Sequence, residues 1–187
     1  MQGKTKFLLL LVLVVVLASG CSLFIKPSPV FNPELASKKK YDTIGELHGS
    51  SVTNKATILT DGNYEATAWN DGSWLGLKDP SMNVTYIIDL EEVSPIVEVS
   101  GYFVQTLYGI DFPKKLSVSV SEDKTTWSDA VEQSFLERPS EPASTGWAVV
   151  KFPKAVTGRY VKIVATAKTE WVFCKEISIK KPKTAAN

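Results

Sequence analysis

The chain predicts an all-β fold, an antiparallel sandwich or jelly roll of about eight short strands. Three observations predict it. Apolar and β-branched residues alternate over short runs, Gly, Pro, Asp and Asn punctuate those runs, and almost no stretch carries the helical period. Val84-Thr-Tyr-Ile-Ile-Asp-Leu90 is β-branched, aromatic and bounded by turn residues. Ile96-Val-Glu-Val-Ser-Gly-Tyr-Phe-Val104 follows, with Ser94-Pro95 as the expected break between the two. Leu116-Ser-Val-Ser-Val-Ser121 alternates strictly, which puts Leu116, Val118 and Val120 on one face and three serines on the other. Ala148 to Phe152, Tyr160 to Ala165 and Cys174 to Ile179 continue the pattern. Asp123-Lys124 reads as a hairpin turn, and the polar stretch Glu137 to Gly146 as the one long loop.

Ahead of this domain lies a segment of different chemistry. Lys4 and Lys6 precede the unbroken apolar run Phe7 to Leu17, and Ala18-Ser19-Gly20 leads into Cys21. That order is a secretory signal: charged start, apolar middle, small residues at the cut. As a helix the run reaches about 16 Å at roughly 1.5 Å per residue, short of a hydrocarbon core of about 30 Å. A retained anchor extended through Gly20 is the alternative. Leu17-Ala18-Ser19-Gly20-Cys21 resembles the bacterial lipobox, which implies an acylated Cys21 and cleavage just before it. The expected organisation is therefore a signal peptide over 1–20, a lipidated Cys21 and proline-rich tether over 21–33, a sandwich domain over 34–181, and a tail over 182–187. Lipid attachment implies a place in the cell envelope, on a membrane and facing away from the cytoplasm, in periplasm or on the cell surface.

Composition excludes several classes. Loss of Lys4 and Lys6 removes two positive charges from a formal net charge of +1, and the arginines are only Arg138 and Arg159, so no nucleic-acid footprint exists. One histidine, His48, and two cysteines leave little nucleophilic machinery, so no enzyme is expected. Cys174 has only Cys21 as a possible partner and sits in the apolar Trp-Val-Phe-Cys, which reads as a small buried side chain.

Seven motifs then occur in one order: Leu59-Thr-Asp-Gly62, Trp74-Leu-Gly76, Ile87-Ile-Asp-Leu90, Gly109-Ile-Asp-Phe-Pro113, Val118 to Ser121 with Trp127, Gly158-Arg-Tyr-Val161 and Trp171 to Ile179. Together they resemble the factor V/VIII type C (discoidin) domain, including carbohydrate-binding module family 32, over about residues 32 to 181. The resemblance implies a galactose-binding-like jelly-roll sandwich of about eight strands. Glu91 and Lys124 stand where the family often has Gly, and both substitutions bear on turns, because Gly takes positive φ at little cost.

The resemblance also implies two sites. Calcium, as a structural ion, would sit between the Asp-Gly loop and the last strand, on Asp61, the Asn63 carbonyl, Thr67 and Glu176; an ordinary Asp-Gly turn with a solvated Glu176 is the plainer reading. Carbohydrate, free or on a glycosylated partner, would be held by loops at one end of the sandwich. The implied ligand residues are His48, Trp69, Asn70 and Tyr108, with Asn54, Trp74 and Trp171 also loop-borne. Pyranose rings need an aromatic face to stack on and a few directed polar groups. Trp74, Trp127 and Trp171 lie beside strand motifs and read more simply as core. The alternative function is an envelope lipoprotein that binds or scaffolds other proteins and takes no sugar. Convergence of Trp69, Tyr108 and His48 on one exposed face would favour the sugar.

Overall fold

The computed structural model describes residues 34–51, 56, 58–65, 67–136 and 143–183. The segment read as a signal peptide, Cys21, the expected tether and Asn54 lie outside the described residues. The elements are β1 (Lys40–Ile44), β2 (Glu46–Leu47), β3 (Leu75–Lys78), β4 (Asn83–Gln105), β5 (Lys115–Ser121), β6 (Val131–Ser134), β7 (Ser144–Thr166) and β8 (Trp171–Lys180), with two short 3-10 turns, Gly49–Ser51 and Ile58–Thr60. Among the described residues no helix is long and apolar enough to cross a membrane.

Two long strands build both layers. The first half of β4 pairs with β1 and with the second half of β7, which in turn pairs with β5, and β5 with β6. The second half of β4 pairs with the first half of β7 and with β8, which leads on through β3 to β2. All these pairings are antiparallel. Register shifts between Asp89 and Ser94 and between Ile96 and Glu98 mark where the paired strands pass from one layer to the other. The Ser94-Pro95 break expected from sequence is therefore a bend: Ser94 pairs with Gly158 and Pro95 with Thr157, and the ladder resumes. Likewise the expected strands at 148–152 and 160–165 are two parts of β7. The stretch read as a long loop ends earlier, because β7 begins at Ser144; residues 137–142 lie outside the described set.

Alternation fills the space between the layers. Val84, Tyr86, Ile88, Leu116, Val118, Val161 and Ile163 from one layer share a core with Leu75, Leu77, Val99, Phe103, Val150, Cys174 and Ile177 from the other. Each fully buried large apolar side chain contributes about 1.5–3 kcal/mol. Cys174 is fully buried, and burial pushes its thiol far up, which suits packing and not nucleophilic attack. Trp127, read from sequence as core, is half-buried at the β5–β6 turn with the Lys162 ammonium 4.2 Å from its ring centroid.

Both positions where glycine is replaced hold left-handed backbone: Glu91 has φ 67° and Lys124 φ 65°. Local bonds hold the two turns. Glu91 N–H donates to Asp89 Oδ1 (2.7 Å), and Asp123 Oδ1 accepts from Thr125 and Thr126 N–H at 2.8 and 2.7 Å. Asp89 also takes a two-pronged bond from Arg159, at 2.8 and 2.9 Å. That guanidinium holds the Asp89 carboxyl below its ordinary range. A depressed carboxyl adds stability above its unfolded pKa and loses it as pH falls. Arg159→Met is expected to lower the melting temperature only modestly at neutral pH, since both partners are partly solvated. The difference in melting temperature from the parent should shrink below about pH 4; an unchanged difference at pH 3 would contradict the pairing.

Candidate functional site

The outer face of the layer β2–β3–β8–β4 carries a second apolar cluster, Trp74, Val104, Ile110 and Phe173, with Trp69, Tyr102 and Trp171 packed against it. Gly76 makes room for it. A Cβ there would lie 2.4–2.7 Å from the Phe173 ring, so the ring rests directly on the backbone of β3.

Three loop segments bring aromatic side chains over this base. The first carries His48. Its N–H donates to Gly76 O (2.9 Å), its carbonyl accepts from Ser51 N–H (2.9 Å), and Ser51 Oγ accepts from Gly76 N–H (2.8 Å). His48 Nδ1 accepts from Ser50 N–H at 3.2 Å and lies 2.7 Å from Ser50 Oγ. With Nδ1 an acceptor, the neutral ring carries its hydrogen on Nε2. The second segment, 67–73, turns at Trp69 and Asn70. Asp71 N–H donates to Ala68 O (3.2 Å), Ser73 N–H to Asp71 Oδ1 (2.8 Å), and Gly72 has φ +83°. The third, 106–111, is locked to the segment before β8. Asp111 N–H donates to Trp171 O (2.9 Å), Trp171 N–H to Gly109 O (3.1 Å), and Asp111 Oδ2 accepts from the Thr169 hydroxyl (2.6 Å) and N–H.

The rings meet. The His48 centroid lies 5.7 Å from Trp69, 4.8 Å from Trp171 and 5.1 Å from Phe173, all edge-to-face. Trp69 in turn lies 5.7 Å from Tyr108, inclined at 39°. His48, Trp69 and Trp171 are half-buried, Asn70 is exposed, and Tyr108 is 73% exposed. The sequence-derived set His48, Trp69, Asn70 and Tyr108 thus comes together at one surface. Trp74 is fully buried beneath it, as its place beside a strand motif suggested. Trp171, read as core, is instead part of the cluster, with Lys78 Nζ 4.6 Å from its ring centroid.

A second group went unread in the sequence. Tyr102 stacks on Trp74 (5.9 Å, 20°) and touches Trp147 (5.2 Å), its cross-strand partner, while Tyr64 leans on both. A cavity of about 580 Å³ lined by Gly62, Asn63, Tyr64 and Glu65 opens beside them. Only the cross-strand register Tyr102↔Trp147 could have revealed this group, and composition does not carry register.

The expected calcium ligands divide. Asp61 and Glu176 approach each other. Glu176 is 6% exposed and its Oε2 accepts from Gly62 N–H at 3.1 Å. Burial pushes the Glu176 carboxyl up to about 8, the Gly62 N–H pulls it down, and Asp61 and Glu34 add to the rise. Asp61 Oδ1 accepts from Asn63 N–H (2.7 Å), and the Asn63 side-chain oxygen from Glu65 N–H (3.1 Å). Thr67 Oγ1 accepts from Lys175 Nζ at 3.0 Å and lies 2.8 Å from Ser73 Oγ. Calcium takes six to eight oxygens at about 2.3–2.6 Å. Here an ammonium holds the Thr67 hydroxyl and backbone donors face both carboxylates, so the residues as arranged do not fit the ion. Among the described residues no three His, Cys, Asp or Glu side chains gather to hold a metal.

Two outcomes follow from this geometry. Gly76→Ala forces the Phe173 ring off β3 and is expected to cost about 1–3 kcal/mol; because His48 and Trp69 rest on that ring, their ring-current-shifted proton resonances should move as well. The raised Glu176 carboxyl favours the protonated folded state, so its contribution is full below about pH 4.5 and is lost as pH rises through about 8. Melting temperature should therefore be higher at pH 5.5 than at pH 8.5, and Glu176→Gln should flatten that slope; an unaltered slope in the variant would refute the assignment.

Comparisons with known proteins agree with this architecture. No relative is found among curated protein sequences. Of solved structures, a family-32 carbohydrate-binding module of Clostridium perfringens in complex with GalNAc-β-1,3-galactose aligns with TM-score 0.57 at 17% identity, covering 79% of this chain and 99% of the module. A histidine mutant of the lectin-binding domain of lectinolysin, complexed with Lewis b, aligns with TM-score 0.58 at 18% identity over 83% of this chain and 100% of that domain. A fucose-binding module of Streptococcus pneumoniae aligns with TM-score 0.58 at 12% identity over 81% and 99%. These likenesses establish a galactose-binding-like fold. The profile of the F5/8 type C domain matches residues 45–177, and the chain belongs to that family.

Proposed function

We propose that this chain is a carbohydrate-binding domain held at the outer side of a bacterial membrane by a lipid on Cys21, and that it has no catalytic role. The observation that carries the reading is the convergence of Trp69, Tyr108 and His48 on one exposed face. The inclined faces of Trp69 and Tyr108 suit the apolar C–H side of a pyranose, while His48 Nε2–H and the Asn70 amide supply directed polar contacts for hydroxyls. The similar modules and lectins that take GalNAc-β-1,3-galactose, Lewis b or fucose support the class of ligand. An open, shallow aromatic surface gives modest affinity per site, and many copies on one membrane would compensate by avidity.

A glycan array probed with the full chain tests the reading. Binding to at least one glycan class is expected, and Trp69→Ala and Tyr108→Ala should each weaken it about tenfold, a loss of about 1.4 kcal/mol. Silence across microbial, plant and host glycans would turn the reading to a protein-binding envelope lipoprotein. The anchor is tested separately: intact-mass analysis should find acyl chains on Cys21, and Cys21→Ser should release the chain from membranes.

A further inference from the structure

In β8 one residue stands out of register. Tyr102 pairs with Glu176 and Phe103 with Cys174, which leaves Lys175 unopposed as a β-bulge. The bulge turns Lys175 out of the main core and toward the 61–74 loop. There it is 2% exposed, although a buried ammonium without partners is strongly unfavourable. Its partners are specific: Nζ donates to Thr67 Oγ1 at 3.0 Å and to Ser73 Oγ at 2.9 Å, and lies 5.4 Å from the Trp74 ring centroid. The two hydroxyls lie 2.8 Å apart, and Ser73 N–H continues the network to Asp71 Oδ1 at 2.8 Å. Thr67 and Ser73 bracket the turn that carries Trp69 and Asn70. One cation therefore grips both ends of the turn that presents the aromatic surface.

We propose that Lys175 is the built-in cation of this site, a positioning residue whose ammonium staples the 67–73 turn to β8 and makes its order independent of a metal ion. A bound calcium in this position would draw oxygens of the loop onto the last strand; the Lys175 ammonium performs the same task from within the chain, with Thr67 as its shared oxygen. Two hydroxyl acceptors, an aromatic face and the nearby Asp71 carboxylate compensate its desolvation. The consequence for ligand affinity rests on the carbohydrate reading; the order of the turn does not.

Hydrogen–deuterium exchange on the full chain reads the turn without any ligand. In the parent, exchange at 67–73 should be the same with chelator and with added calcium chloride. Lys175→Met, which keeps the stem and loses the charge, should speed exchange there about tenfold or more while β5 and β7 stay protected. Lys175→Arg keeps a cation and should retain most of the protection. The double variant Thr67→Val with Ser73→Ala removes the acceptors from the loop side and should reproduce the Lys175→Met result; it decides the matter if Lys175→Met does not fold. Faster exchange of the parent turn in chelator, full protection in Lys175→Met or the double variant, or equal loss in Lys175→Met and Lys175→Arg would each overturn the proposal.

Discussion

The pairing of β4 with β7 is the constraint on which the remaining structure depends. Both strands run through the two layers, so the ladder between them, with its register shifts near Asp89 to Glu98, sets how the layers face each other. β1, β5 and β8 pair directly with one half of that pair, and β6, β3 and β2 extend the sheet from them. The bends need unusual backbone, and Glu91 adopts it at φ 67° without being glycine. A non-glycine residue there carries a strain of about 1–2 kcal/mol, which the Asp89 bond to its N–H and the Arg159 clamp on Asp89 help offset. The same carboxylate thus serves the turn and the ion pair across it.

From that frame the aromatic surface is built on the outer face. Val104 of β4 and Phe173 of β8, which point away from the main core, join Trp74 just before β3 and Ile110 in a second apolar base there, where Trp74 and Phe173 are fully buried. Glycine at position 76 lets Phe173 settle against the backbone, and the loop aromatics then settle on Phe173. The cluster is consequently close-packed underneath and open on top, where Tyr108 is exposed. Backbone bonds between the Gly109 and Trp171 segments hold Tyr108 near the rim.

A charge lies buried beside the cluster, at Lys175. Lys175 and Glu176 are adjacent, yet the bulge lets both serve the loop side: one through Thr67 and Ser73, the other through Gly62 and Asp61. The loop is fastened at two places to the same strand. Ordering it in advance lowers the entropy that a ligand would otherwise have to supply.

By itself the sequence determined the strand chemistry and the order of the motifs. Strict alternation in 116–121 specified an inward face, and Leu116, Val118 and Val120 are buried as that period requires. The aromatic residues flanked by Asn, Asp and Gly were legible as loop-borne, and the two glycine replacements marked turns that do hold positive φ. Tertiary structure alone decided that Ser94-Pro95 bends one strand instead of ending it, that Trp171 joins His48 and Trp69, and that Lys175 reaches Thr67. The reason is that period-2 patterning reports which face a residue takes within its own strand. Register and bulges between distant strands decide which neighbours it meets, and a single unopposed residue such as Lys175 changes both face and partners.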